Sequence, residues 1–261
     1  MEYLVCVKLV PRFPNKVKLD PVTNNLIRDG VTSVINPADL NALTMALDLR
    51  RITGGKVSVL SMGIPDAINS LKQCIARGAD KAYLVTDGSF RGSDTLATSY
   101  TLAMAAKHIG NFDLIFTGTQ TTDGDTGQVG PELAELLGVN QASYVKLAKY
   151  KEGSLTVLRS LYNGTEKQNV KTPALISVVK NANEPAEIRK SILEKVKDED
   201  VVILNASDIK ADSEKIGASG SATQVVRTFQ DEELPKGEYI KGSAQEQVDS
   251  LIEIFKEKQF I

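Results

Sequence analysis

Four strand-like runs, each followed by a helix-like segment, fill the first half of the chain, and that alternation leaves few folds open. Tyr3 to Val10 is an apolar run ended by Pro11, the pattern of a strand buried on both faces. Asn36-Pro37 opens a helix, with Asn36 as cap and Pro37 at the first helical position, and Gly54-Gly55 stops it. Lys56 to Ser61 is the second strand, Met62-Gly63-Ile64 a turn, and Pro65 the start of a helix that Gly78 ends. Ala82 to Thr86 is the third strand, and Ser93-Asp94 caps an alanine- and leucine-rich helix running to about Ile109. Phe112 to Thr117 is the fourth. Successive units of this kind require an α/β fold, a parallel sheet with helices on both faces. Such sheets bind ligands beyond the carboxyl ends of their strands, where Pro11, Met62, Thr86 and the segment from Gly118 to Gly127 should gather.

After about Ser143 the grammar changes to strand-like segments joined by short turns, at Tyr144–Tyr150, Leu155–Leu161, Lys167–Lys171 and Pro173–Val179. Glu152-Gly153 and Asn163-Gly164 read as the turns, so antiparallel strands are appended to the parallel sheet. Asn183-Glu-Pro185 leads into a helix through Ile188, Ile192, Leu193 and Val196. Residues 205–242 are polar, with no sustained period, and a final amphipathic helix carries Val248, Leu251, Ile252, Ile254 and Phe255. A polar stretch that long, ending in an apolar helix face, reads as an arm lying on something else. The expected division is a nucleotide-binding α/β domain over 1–204 and a carboxyl-terminal arm over 205–261.

The clearest chemistry lies in Asp123-Gly-Asp-Thr-Gly-Gln-Val-Gly-Pro131, between the fourth strand and the next helix. Gly124, Gly127 and Gly130 free the backbone to turn N–H groups inward, and the helix N-terminus beyond adds partial positive charge. That is an anion cradle, with phosphate the expected anion. The spacing matches neither the dinucleotide fingerprint nor the Walker loop, and a plain strand-to-helix turn uses the same residues. Asp123 and Asp125 would repel a phosphate, so they are expected to receive turn N–H groups or a ribose hydroxyl.

The totals exclude several classes. With 31 basic and 33 acidic residues, nothing calls for nucleic acid or an anionic membrane. No secretory signal is readable, and no apolar stretch approaches the roughly 18 residues needed to span a bilayer. Cys6 and Cys74 have neither metal-ligand spacing nor a reason to pair, which points to a reducing, cytoplasm-like compartment.

The segments Val5-Cys-Val-Lys8, Lys18-Leu-Asp-Pro21, Ile27-Arg-Asp-Gly30, Asn36-Pro37, Met62-Gly63, Gly78-Ala-Asp80, the cradle, Thr172-Pro-Ala-Leu-Ile176 and Asn183-Glu-Pro185 occur together and in order. In that combination the chain resembles the small (beta) subunit of electron transfer flavoproteins, nearly end to end. The resemblance implies a Rossmann-like domain in a heterodimer with a larger alpha subunit that holds a redox-active FAD and exchanges electrons with acyl-CoA-type or related dehydrogenases. It also implies a nucleotide in the cradle: AMP in the housekeeping kind, a second FAD in the electron-bifurcating kind, with NAD(H) as electron donor. Asp123-Gly-Asp-Thr-Gly-Gln-Val-Gly130 is similar to the bifurcating Asp-Gly-Asp-Thr-Ala-Gln-Val-Gly, and Arg91-Gly-Ser-Asp-Thr-Leu-Ala-Thr98 also resembles that kind, so FAD is the expected ligand and AMP the alternative.

Two departures stand out. Gly127 replaces a usual Ala, and Glu132 replaces a common Gln, adding a charge near an anionic ligand unless it points to solvent. At the docking segment Lys190 occupies the position of an apolar anchor, leaving Ile188 as a substitute.

By the same resemblance, the N–H groups from Gly124 through Asp125, Thr126, Gly127 and Gln128 to Val129, with the Thr126 hydroxyl and Gln128 amide, hold phosphate. Cys6 and Asn36 line the adenine–ribose side and Met62 flanks it. Thr95 and Thr98 reach the flavin or its phosphates, and NADH stacks near Gly63. No catalytic side chain and no metal ligand is expected, since the cofactor supplies the reactivity. On the residues alone, Cys6 remains a small buried hydrophobe, Asn36 a cap, Met62 core packing, and the threonines outward or core-packed. A nucleotide-sensing regulatory module is the reading from another class, and it leaves the antiparallel strands and the arm unexplained.

Overall fold

The computed structural model describes residues 1–12, 18–19, 26–27, 32–151, 153–226 and 237–261. Parts of the Lys18–Pro21 and Ile27–Gly30 segments, and of the polar stretch after residue 205, lie outside the described residues.

β1 (Glu2–Cys6) is followed by the short strands β2 (Leu9–Pro11), β3 (Lys18–Leu19), β4 (Leu26–Ile27) and β5 (Ser33–Ile35), so the loop expected after the first strand contains small antiparallel pairs. α1 (Pro37–Thr53), β6 (Lys56–Met62), α2 (Ile68–Ala76), β7 (Lys81–Val85), α3 (Thr95–Ile109), β8 (Leu114–Gly118) and α4 (Val129–Leu137) then alternate as the sequence predicts. Their boundaries carry the expected chemistry. Pro37 stands in the first turn of α1, the Asp94 carboxylate accepts the Ala97 N–H at 3.0 Å, and Gly138 ends α4 with φ +67°.

β9 (Asn140–Lys151), β10 (Ser154–Leu161) and β11 (Gly164–Val170) form the antiparallel ribbon, and β12 (Ala174–Val178) follows. The first turn has Gly153 at φ +81°, with Lys151 paired to Ser154. The second turn is Tyr162-Asn163; Gly164 pairs with Leu161 and already belongs to β11, one residue later than the Asn-Gly reading had it. One sheet has the order β11-β10-β9-β12-β8-β1-β6-β7, ending on β13 (Val201–Leu204). From β9 to β13 the neighbours are parallel; from β9 outward they are antiparallel. β12 therefore belongs to the parallel sheet, inserted between β8 and β9.

Alternation along the strands builds two cores. Tyr3, Val5, Val57, Val59 and Phe116 pack against Leu43, Leu47, Leu71 and Cys74 of α1 and α2. Leu4, Cys6, Leu60 and Ile115 pack against Leu102, Ala106, Leu133 and Ala134 of α3 and α4 on the other face. Full burial of each such Leu, Val or Phe contributes about 1.5–3 kcal/mol.

One expectation is corrected. The helix foreseen after Asn183-Glu-Pro185, through Ile188 to Val196, is only α5 (Lys190–Leu193), with no buried residue. Pro185 disfavours helix at the residue before it, and the preceding backbone is tied to α1: Asn41 Nδ2 donates to the Asn183 carbonyl at 2.7 Å and Asn183 Nδ2 to the Asn41 carbonyl at 2.9 Å. The first compact unit runs from Met1 to Val226. Ile209 and Ile216 are buried in the α3 face, and α6 (Gly217–Gly220) contacts α3.

The second unit is Arg227–Ile261. Within it α7 (Ala244–Glu257) begins at a capping box, Ser243 with Glu246, and leaves Val248, Leu251, Ile252, Ile254 and Phe255 exposed. No described helix is long and apolar enough to cross a membrane.

Candidate functional site

The sheet diverges between β1 and β8. From β1 the chain crosses through α1 to β6 on one side, while β8 lies on the other side of β1 and is reached through α3 on the opposite face. A crevice opens at such a point beyond the strand ends. Here it is laced by Asp39, in the first turn of α1. Its carboxylate accepts the Lys8 N–H at 2.7 Å from the end of β1 and the Gly118 N–H at 3.0 Å from the end of β8. A Cβ on residue 118 would overlap Asp39 Oδ1 and lie 2.8 Å from Ala38 Cβ, so only glycine lets α1 start this close to β8. Burial pushes the Asp39 carboxyl up to about 6, against hydrogen bonds from Asn36, Lys8 and Gly118 that lower it.

Asn36 flanks α1, but its side chain does not cap it. Nδ2 donates instead to Asp39 Oδ1 and to the Gln120 carbonyl, both at 2.9 Å, tying the helix start to the loop after β8. Its Oδ1 is buried and has no hydrogen-bond partner. Asn36, the Thr119–Thr122 turn, Asp125, Tyr144 and Lys180 line a cleft of about 270 Å³.

The cradle is organised from within. Asp123 pairs with the Lys8 ammonium at 2.8 Å. Burial raises the Asp123 carboxyl, but the Lys8 hydrogen bond and charge and the Thr121 hydroxyl outweigh it and leave the group below its ordinary range. The Gly124 N–H donates to Thr121 Oγ1 at 3.3 Å and the Asp125 N–H to the Thr121 carbonyl at 3.0 Å. Of the three glycines only Gly127 takes a left-handed conformation, φ +68°, joined by Asp125 at φ +52°. Gly130 serves close packing instead, since a Cβ there would lie 2.9 Å from Thr117 Oγ1 on β8. The three glycines thus have three different roles, where one common role was expected. α4 makes its first internal bond from the Glu132 N–H to the Gln128 carbonyl at 3.0 Å. The Val129 and Gly130 amides precede that bond at the positive end of the helix.

Across the α3–α4 seam, Thr95 Oγ1 lies 3.3 Å from Gln128 Oε1 and donates to Glu132 Oε1 at 3.1 Å, while Ser99 Oγ donates to Glu132 Oε2 at 2.9 Å. Glu132 is therefore turned into the seam, held by two hydroxyls, rather than towards solvent. The structure joins Thr95 to the cradle through Gln128; Thr98 is half-buried on α3 and joins none of the other expected residues. Thr126 is exposed in the loop and Val129 packs on the α3 face.

Cys6 is buried in the α3-side core, its thiol pushed up to about 12 by burial and then by Asp39, with Met62 half-buried against that core and Gly63 exposed at the end of β6. Only Asn36 and Asp125 of the expected residues line the cleft. Asp39, Lys8, Ser99 and Tyr144 were not foreseen as site residues, and Gly118 was expected at this edge without its contact to Asp39. An acidic residue in a first helical turn and a glycine at a strand end are too common to signal a contact across 79 positions.

The electron transfer flavoprotein domain family matches residues 23–204. The electron transfer flavoprotein subunit beta of Thermoanaerobacterium thermosaccharolyticum is 42% identical over the whole of both chains. The chain belongs to the electron transfer flavoprotein family, as a beta subunit. It is also 40% identical, over the whole of both chains, to the Acetobacterium woodii caffeyl-CoA reductase-Etf complex subunit CarD. Protein FixA of Azorhizobium caulinodans is 42% identical, with 98% of this chain and 94% of that protein covered. An electron transfer flavoprotein beta subunit has an alpha-subunit partner and works in electron transport, as the resemblance in the sequence implied.

Proposed function

We propose that this beta subunit holds an adenine nucleotide, FAD, at the crevice between β1 and β8, and that with the alpha subunit's FAD it takes electrons from NADH or from an acyl-CoA-type dehydrogenase by flavin-based electron bifurcation. The observation that carries the reading is the cleft of about 270 Å³ beside that crevice, beyond the end of β8 and against β12 and β9, lined by Asn36 and by the loop that continues into α4. A buried acceptor without a partner costs about 1–3 kcal/mol, and Asn36 Oδ1 on that wall is such an atom. A donor on a bound nucleotide would satisfy it.

The residues fit the group in a second way. Lys8 neutralises Asp123, so the cradle offers a phosphate the Val129 and Gly130 amides and the positive end of α4 rather than two bare carboxylates. Bound FAD would supply electron and hydride transfer; the protein's share is position, exclusion of water and electrostatics. Asn36 and Asp39 fix the loop against α1, and Thr95 and Glu132 fix the start of α4 against α3. The relative named for a caffeyl-CoA reductase complex supports a dehydrogenase or reductase of CoA esters as partner. The second unit, with its uncovered apolar helix face, is the segment we assign to the alpha subunit. A reducing, cytoplasmic setting suits the two buried, unbridged thiols.

AMP is the second reading. It is favoured by the cleft's volume, about 270 Å³, which falls just below the roughly 300–1,000 Å³ typical of ligand pockets. Acid extraction of the chain co-expressed with its alpha partner separates the two. Two FAD and no AMP per heterodimer support bifurcation; one FAD with one AMP makes this a plain carrier, and an alpha-subunit FAD alone overturns the nucleotide site.

A further inference from the structure

We propose that Tyr144 is a nucleotide-positioning residue whose ring lies against the base of the adenine nucleotide in the cleft; this rests on the nucleotide reading above. β9 pairs with β12 in register at Ala142 with Ile176 and again at Val145 with Val178. Between those pairs Ser143 and Tyr144 face the single residue Ser177, and Tyr144 takes φ +59°. A bulky side chain is unfavourable in the left-handed region and persists there only where its surroundings hold it.

The surroundings do hold it. Arg159 Nε donates to the Ser143 carbonyl at 2.8 Å, and Arg159 Nη1 binds Glu166 at 2.7 Å. The β9–β10 ladder also shifts register close by, with Lys146 as the extra β9 residue opposite Leu158 and Arg159. Bulges re-aim side chains beside functional sites. This one puts Tyr144, 45% exposed, on the lining of the cleft with Val179, Thr121 and Asn36. Tyr144 and Val179 give that cleft apolar contact surface, and its threonines give it hydrogen-bonding edges. A purine base has the matching form, a flat π-face with polar edges, and free AMP and the adenine end of FAD present it equally. Glycine would hold the same backbone without strain, so the strain is kept for the ring.

The test uses the full chain in complex with its alpha subunit, depleted of nucleotide and titrated calorimetrically with AMP and, separately, with FAD, with Tm followed alongside. Tyr144→Gly should keep or raise Tm, because glycine accepts this φ. It should weaken the nucleotide that the wild type binds by roughly tenfold or more, the scale of one base–aromatic stack. Tyr144→Asn, which also tolerates the left-handed region, should weaken it similarly, and Tyr144→Phe should retain wild-type affinity. Preference for AMP or for FAD identifies the source of the base. Wild-type affinity in both the Gly and Asn variants overturns the proposal and leaves the nucleotide reading standing, and loss of affinity in Tyr144→Phe overturns the role of the ring face. No binding of either nucleotide by the wild type overturns both.

Discussion

Gly118 and Asp39, 79 residues apart, meet at the ends of β8 and α1: the Gly118 N–H donates to the Asp39 carboxylate at 3.0 Å, and a side chain at 118 would occupy that carboxylate's place. Gly118→Ala is therefore expected to push α1 off the sheet, at a cost of about 1–3 kcal/mol for an overpacked contact. Urea unfolding reads this directly. A midpoint equal to wild type would mean that α1 yields freely and that the junction does not depend on glycine.

The raised Asp39 carboxyl has a pH signature. Its folded-state value, about 6, exceeds the ordinary aspartate value of 3.8, so the native state binds this proton more tightly than the unfolded chain does. The stability it contributes is full below about 4 and is lost as pH rises through about 6, by up to about 2–3 kcal/mol. Subtracting the stability–pH curve of Asp39→Asn from that of wild type should expose this fall between pH 4 and 6. Parallel curves would show that Asp39 is charged across the range.

Glu132 is held by two hydroxyls, one of them the fully buried Ser99. Glu132→Ala should cost about 0.5–1.5 kcal/mol, because it leaves the Ser99 hydroxyl only its long 3.4 Å bond to the Val129 carbonyl. Glu132→Gln, which keeps an acceptor, should cost less. Equal Tm values for the two variants would remove this seam from the forces that fix α4.

Cys6 and Cys74 are both buried, and burial pushes both thiols up to about 12. Neither is a thiolate near neutrality, so neither should react with an aromatic disulfide reagent in the native protein at pH 8. Both should react on unfolding. A fast native reaction at either would show that its core opens locally.

The second unit supplies the last expectation. Deleting residues 237–261 should leave the Met1–Val226 unit folded, since its two cores lie within it, while abolishing co-purification with the alpha subunit. Retention of the partner at wild-type stoichiometry would transfer the interface to the first unit.

The parallel sheet was legible because strands buried on both faces are written as apolar runs such as Ala82–Thr86, punctuated by Pro37, Gly54, Pro65 and Gly78, although the run Tyr3–Val10 divides: its sheet strand ends at Cys6, and Leu9–Pro11 pairs with β5 instead. Local signals end there. Asn36 beside Pro37 has the composition of a cap, yet its amide is taken by Asp39 and by the Gln120 carbonyl 84 residues away, and the second is a tertiary choice that no window around it contains. The helix expected after Asn183 had the right period but lies against α2 without burying any residue, so only four residues of it form. Residues 205–226 looked unanchored because Ile209 and Ile216 are isolated apolar positions whose partners lie on α3. The cradle was recognisable by composition, whereas its glycines differ in role only because Lys8, Thr117 and Thr121 stand where they do.

The insertion of β12 between β8 and β9 sets an order of events during synthesis. When β8 leaves the ribosome it can pair with β1 alone, and β9 can pair only with the ribbon that follows it. Both keep an open edge until Ala174–Val178 arrives, 56 residues after the end of β8. A nascent chain halted before that point exposes two hungry strand edges, which is where aggregation begins. The last parallel strand to be made next to the crevice is thus the one that seals it, and expression at low temperature or with slower initiation should raise the soluble yield.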